Sequence, residues 1–212
     1  MNETTVTVSG VVDTFLLLLI GIGPKLVLVP LLQVNARLDP ETRARVRRRM
    51  MATAATTAVA LVVLGELLRR LLHFSVGSLS VAGGTILLVS AVRIVLENGE
   101  STEFDEVESD PMKLAMVPLA VPYLLNPVGI VGLVTISAEA GSIGVLAVEI
   151  AILGAVLVLD AFVFRIVERR STINVERMLV VEKVFGFLIA AIAAQLIFDG
   201  LYSLGIIRHL NH

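Results

Sequence analysis

Apolar residues fall in six blocks, at about 8–33, 50–72, 79–97, 114–136, 142–166 and 179–204, and the polar residues collect between them. Each block matches the roughly 20 residues that an α-helix needs to cross the hydrocarbon of a bilayer. The pattern predicts an all-α membrane protein with six transmembrane helices. Two of the blocks are broken in the middle. Leu114–Ser137 reads LAMVPLAVPYLLNPVGIVGLVTIS, with Asn126-Pro127-Val128-Gly129 at its centre. Proline removes an amide donor and clashes with the preceding turn, so the helix ends or kinks there. Asn126 is a good N-cap, and Pro127 suits the first position of a new helix. Two half-helices are expected, at about 114–124 and 127–136. Val8–Val34 carries the same feature at Gly21-Ile22-Gly23-Pro24-Lys25.

The breaks expose a repeat. Pro24 and Pro127 stand 103 residues apart, and so do Gly83 and Gly186 at the starts of the third and sixth blocks. The expected organisation is a three-helix repeat at 1–97, an acidic cytoplasmic linker at 98–113 and a second three-helix repeat at 114–212, with helices 1 and 4 discontinuous. Basic residues set the orientation. Thirteen of them lie around 34–49, around 165–183 or beside the third-to-fourth connection, whereas only Arg69, Arg70 and Arg208 fall on the other side. The first side is cytoplasmic by the positive-inside rule, which places both termini outside. The first span then starts outside and the fourth inside, so the halves are inverted copies, the arrangement that in transporters frames a midplane site.

Composition agrees with the pattern. Of 212 residues, 56% are apolar and 17% charged, which excludes an ordinary soluble domain. There is no cysteine, hence no disulfide and no thiolate metal site, and the three histidines lie outside the apolar blocks. No cofactor, metal or nucleic-acid partner is expected; the partners are the lipid bilayer and a small molecule. The N-terminal MNETTVTVSG has no basic region and reads as a retained segment. Glu100, Glu103, Asp105, Glu106, Glu108 and Asp110 form a solvated linker whose spacing fits no calcium loop. Ala52, Ala54, Ala55, Ala58 and Ala60 in the second span, and Gly186, Ala190, Ala191, Ala193 and Ala194 in the sixth, are small-residue surfaces for close helix contact.

The breaks also define a chemistry. In the inverted arrangement the half-helices that begin at Pro24 and Pro127 both point their N-termini at the midplane. Their dipoles and unpaired amides suit an anionic group such as a carboxylate. The preceding half-helices end there too, and free carbonyls around Ile20, Gly21, Leu124 and Leu125 suit an ammonium. Donors beside acceptors describe an amino-acid zwitterion. Gly21, Gly23 and Gly129 are expected to keep space open near the backbone. The competing structural reading is a pair of proline kinks satisfied by neighbouring helices.

Charges within the spans are costly and paired or functional. Lys25 lies on the order of 12 Å from the cytoplasmic end of its span, at a depth similar to Asp160. It either pairs with Asp160, supplies positive charge to the site, or snorkels to the surface. Glu66 has Arg69 and Arg70 one turn away and reads as a helix-surface ion pair. Glu149 has no local partner and is a candidate, with Asp160, for a gate or proton path. Gln195 either bonds substrate or bridges helices.

The run Met116–Leu133, MVPLAVPYLLNPVGIVGL, resembles the second-repeat signature of the MarC family. Phe74–Leu88, Val184–Gly200 and the broken first span are similar to the same family. The resemblance implies six helices in two inverted halves with helices 1 and 4 discontinuous, in a prokaryotic cell (inner) membrane. It implies transport of small neutral amino acids such as glycine and alanine, coupled to ion gradients. Asn-Pro is usual in that family's first break and Gly-Pro-Gly in its second; here Gly23-Pro24 and Asn126-Pro127-Val128-Gly129 exchange the types, and Lys25 departs from the pattern.

The reading that follows is a secondary transporter binding a zwitterion at Gly21, Gly23, Pro24, Lys25, Leu124, Asn126, Pro127, Gly129 and Gln195. The alternatives are an anion or phospholipid-type translocase and a non-transporting scaffold. An enzyme is the weaker class, because the spans hold no histidine, no cysteine and no serine with a base at helical spacing.

Overall fold

The structure, a computed structural model, describes residues 8–96, 110–140, 142–169 and 175–207. Most of the 98–113 linker, together with His209 and His212, lies outside the described residues. Those described form eight α-helices and one wider, π-type segment. In chain order these are α1 (Val8–Gly21), α2 (Pro24–Ala36), α3 (Pro40–Leu72), α4 (Val76–Leu96), α5 (Pro111–Leu114), π1 (Ala115–Leu124), α6 (Pro127–Glu139), α7 (Ile143–Arg169) and α8 (Val175–Ser203). Four of them are long and apolar enough to cross a membrane: Pro40–Leu72, Val76–Leu96, Ile143–Val167 and Lys183–Ser203. The first and fourth apolar blocks instead form shorter helices on either side of the two breaks.

Local chemistry sets several ends. The Asp39 carboxylate accepts from the Thr42 amide at 2.9 Å, and Pro40 opens α3. Residues 40–49, with their arginines, are therefore the first turns of α3, and not a loop as the hydropathy alone suggested. Asp110 caps α5 in the same way, accepting from Met112 at 2.9 Å and Lys113 at 3.3 Å. The half-helix expected at about 114–124 is not a plain one. Val117 and Val121 are extended within π1. Each precedes a proline, whose ring disfavours helical geometry in the residue before it.

α3 turns one face inward, with Val46, Met50, Ala54, Ala58, Val62 and Gly65 buried at helical spacing. That face packs on π1 and α6. Of the five alanines expected to make a close contact, Ala54 and Ala58 do so, while Ala52 and Ala60 are exposed. α4 and α8 pack along one another. They approach closely because glycines face backbone: a Cβ on Gly200 would lie 2.6 Å from the Gly77 carbonyl oxygen, and one on Gly84 2.8 Å from that of Ala193. Lys183 Nζ donates to the Val95 carbonyl at 2.8 Å near the end of α4. On the outside, Leu67, Leu71, Ile86, Val158, Phe162 and Phe187 stay exposed. That is an apolar surface suited to lipid, whose tails are as apolar as leucine.

The α4–α8 contact can be tested directly. Gly200→Ala should lower the melting temperature in detergent, since overpacking costs about 1–3 kcal/mol. Gly154→Ala on α7, where an added Cβ meets nothing within 4 Å, should be silent or slightly stabilising. Equal melting of the two variants would contradict the packing.

Candidate functional site

The two breaks meet. α1 ends at Gly21, and Gly23 is extended (φ −177°, ψ 163°) ahead of Pro24. π1 ends at Leu124, and Leu125 (φ −93°, ψ 92°) and Asn126 (φ −84°, ψ 170°) are extended ahead of Pro127. The short connectors run antiparallel, with Ile22 opposite Leu125. The Gly23 amide donates to the Leu124 carbonyl at 3.2 Å, and the Asn126 amide to the Gly21 carbonyl at 3.0 Å. Exchanging positions 103 apart turns the first bond into the second, so the pairing has a local twofold. A broken helix strands backbone groups that hydrocarbon cannot solvate. Here each break supplies what the other lacks.

Asn126 completes the joint. It is 1% exposed. Its Oδ1 accepts from the Gly129 amide at 3.1 Å and caps α6, while its Nδ2 donates to the Ile20 carbonyl at 3.0 Å. The carbonyls of Ile20, Gly21 and Leu124 are thus engaged, not free as expected, because their partners lie in the other half of the chain. The glycines also act differently from expectation. A Cβ on Gly21 would stand 2.2 Å from Gly129 Cα, and one on Gly129 2.4 Å from the Gly21 carbonyl oxygen. They let two backbones touch; they do not hold space open. A Cβ on Gly23 would lie 2.8 Å from the Leu19 carbonyl oxygen. The two helix starts differ in one respect. α6 has the Asn126 cap, whereas Gly23 gives α2 no side-chain cap, so the first-turn amides of α2 lack one.

The sequence model of the MarC family, described as a MarC family integral membrane protein, matches residues 8–204. The chain belongs to the MarC family. Among its relatives, a UPF0056 membrane protein of Pyrococcus horikoshii is 28% identical over 90% of this chain and 92% of its own length. A UPF0056 membrane protein of Pyrococcus abyssi is 23% identical over 90% of this chain and 96% of the relative. One of Archaeoglobus fulgidus is 26% identical over 89% and 90%. No solved structure matches the chain. The apolar helices and exposed apolar surface are those of an integral membrane protein.

In this MarC-family chain the remaining candidate residues fall in several places. Pro24 and Pro127 open α2 and α6 beside the crossing, and Leu124 is fully buried there. Lys25 lies in the first turn of α2, and its side chain is outside the described residues. Gln195 is not brought to the crossing: it is exposed on α8, and its Nε2 donates to Asp199 one turn on at 2.7 Å. Glu66 forms the expected surface network, accepting from Arg69 Nε at 2.7 Å and Nη2 at 2.9 Å and from Arg70. Glu149 is half-buried on α7 near Glu139, with Oε2 unbonded. Asp160, also on α7, is 1% exposed with neither oxygen bonded among the described residues.

Ile22 and Asn35 were not singled out from the sequence, and Leu125 only for its carbonyl. Ile22 and Leu125 form the centre of the crossing, and the 103-residue offset that pairs Pro24 with Pro127 also pairs them. Asn35, near the end of α2, is buried with neither amide atom bonded among the described residues; between Gln33 and Arg37 nothing in the sequence set it apart.

Asn126 separates the roles of the joint. Asn126→Ala should lose the α6 cap, worth about 1 kcal/mol, and also strand the Ile20 carbonyl, at about 1–3 kcal/mol more. Asn126→Ser keeps a capping oxygen and should fall between wild type and the alanine variant in melting temperature. An alanine variant as stable as wild type would contradict the joint.

Proposed function

We propose that this MarC-family protein is a secondary transporter of small neutral amino acids of the glycine or alanine type, bound as zwitterions where the two breaks meet. The observation that carries the reading is that α2 and α6 both begin at one buried, reciprocally bonded crossing. Two helix N-termini directed at one place favour negative charge. The uncapped amides of α2 are the donors for the substrate carboxylate, with the positive charge of Lys25 on the same turn. Carbonyl oxygens hold two lone pairs, so those of Ile20, Gly21 and Leu124 retain capacity for an ammonium beside the bonds they already accept.

In this reading the short helices pair across the breaks as two composite spans. With α3, α4, α7 and α8 they make six spans in two inverted halves. The exchange of the two crossing bonds by the 103-residue offset supports that symmetry, and antiparallel connectors fit inverted halves. The protein sits in a prokaryotic inner membrane with both termini outside and moves its substrate without covalent chemistry. Glu149 stands on the outer part of the path.

One feature favours a second reading. With three carbonyls engaged and the α2 amides uncapped, donors outnumber acceptors, which suits an anion or a phosphorylated headgroup. Melting of the purified protein separates the two. Glycine or alanine at about a hundred times Kd should add about 2.7 kcal/mol of stability, with no response to phosphate. Stabilisation by phosphate alone would select the anion reading, and no response to either would leave a scaffold. The chain has no cysteine, so single introduced cysteines report topology. Labelling at residue 40 from inside and at 75 and 142 from outside is expected, and the reverse would overturn the helix geometry.

A further inference from the structure

Asp160 is the carboxylate that the crossing does not use. α7 packs on α1, α2, α3 and α6. Asp160 is turned into that contact at 1% exposure, and neither of its oxygens has a partner among the described residues. Its neighbours on α7, Val156 and Phe164, belong to one apolar cluster with Ile22, Leu124 and Leu125 of the crossing. The group is thus buried in the same core as the substrate site, one helix away from it.

No described charge compensates it. α3 brings Arg47 close to Arg165, more than a turn along α7 from Asp160, and ties Glu66 to its own arginines at the other end. α6 brings Glu139 near Glu149. On α1, Asp13 is exposed. Lys25 on α2 has no described side chain. Asn35, the other buried polar group without partners, is not bonded to it.

A carboxylate anion with both oxygens buried and no donor is far more costly than the neutral acid. A proton neutralises it with no further ligand, whereas a hard metal cation demands about six oxygens. We propose that Asp160 is the proton-carrying group that couples this transporter to a pH gradient. In the closed arrangement it is held as the carboxylic acid. When α7 separates from its neighbours and water enters, its O–H bond breaks, the proton passes to that aqueous side and the carboxylate remains. The protein then reopens to the opposite side, where the carboxylate takes a proton from water and its O–H bond forms before the loaded core closes over the neutral acid. The inference rests on the transport reading above and adds the driving ion to it.

The test uses full-length protein in liposomes, with alanine as the probe. Two quantities are compared for wild type and Asp160→Asn: exchange of alanine across the membrane without a gradient, and uptake driven by an imposed pH gradient. Asp160→Asn should exchange within about twofold of wild type, while its gradient-driven uptake falls to the level without a gradient. Asp160→Glu, which keeps an acid, should still respond to the gradient. Gradient-driven accumulation surviving in Asp160→Asn would overturn the proposal. So would loss of exchange and driven uptake together in protein that melts normally, which would make Asp160 part of the substrate path. If wild type moves no alanine in either assay, the transport reading fails, and infrared spectroscopy still tests Asp160. A protonated carboxyl band present in wild type and absent in Asp160→Asn supports the proton site, and absence of that band from wild type overturns it.

Discussion

The structure depends on one backbone exchange: Gly23 to Leu124 and Asn126 to Gly21. Breaking a helix in hydrocarbon is costly because each stranded amide or carbonyl loses water without gaining a partner. A single break would need a side chain or a trapped water. Two breaks that cross solve the problem together, since their antiparallel connectors present donors opposite acceptors. The requirement reaches into composition. The backbones must touch, which excludes a side chain at Gly21 and Gly129. One residue must both cap α6 and satisfy the last turn of α1, which asparagine can do because its amide offers an acceptor and donors.

The joint also orders the rest of the bundle. α3 lays its small-residue face along π1 and α6, and α1 packs on α6 and α7. α4 and α8 pack on one another through glycine contacts and the Lys183–Val95 bond, and Leu87 and Ile189 join them to Leu26 of α2 and Val128 of α6 in one apolar cluster. In the proposed function, the asymmetry between a capped α6 and an uncapped α2 directs the substrate carboxylate to α2. α6 already has its acceptor, whereas α2 lacks a side-chain cap.

Much of this was legible in the chain. Asn126-Pro127 reads as a cap and first helical position on local grounds alone, and both roles are present. The matching Pro24 follows from the offset. The Glu66 network follows from three- and four-residue spacing. What the sequence could not convey was tertiary. The engagement of the Ile20, Gly21 and Leu124 carbonyls depends on a residue about a hundred positions away, so local reading left them free. The glycines looked like open space because a missing side chain is the same letter whether the gap is filled by ligand or by backbone. Gln195 was read as a substrate ligand or a bridge between helices, but it is exposed on α8 and bonds Asp199 of the same helix. The helical residues 40–49 were hidden by their charge, and only the Asp39-Pro40 signal reveals them.

The central claim is that the crossing receives an amino acid at the uncapped start of α2. A structure determined with alanine bound tests it most directly. The account predicts the carboxylate within hydrogen-bond distance, about 2.7–3.2 Å, of the Lys25 and Leu26 amides, with the ammonium toward the carbonyls of Ile20, Gly21 and Leu124. Alanine bound away from the crossing, with the α2 amides still unoccupied, would contradict it.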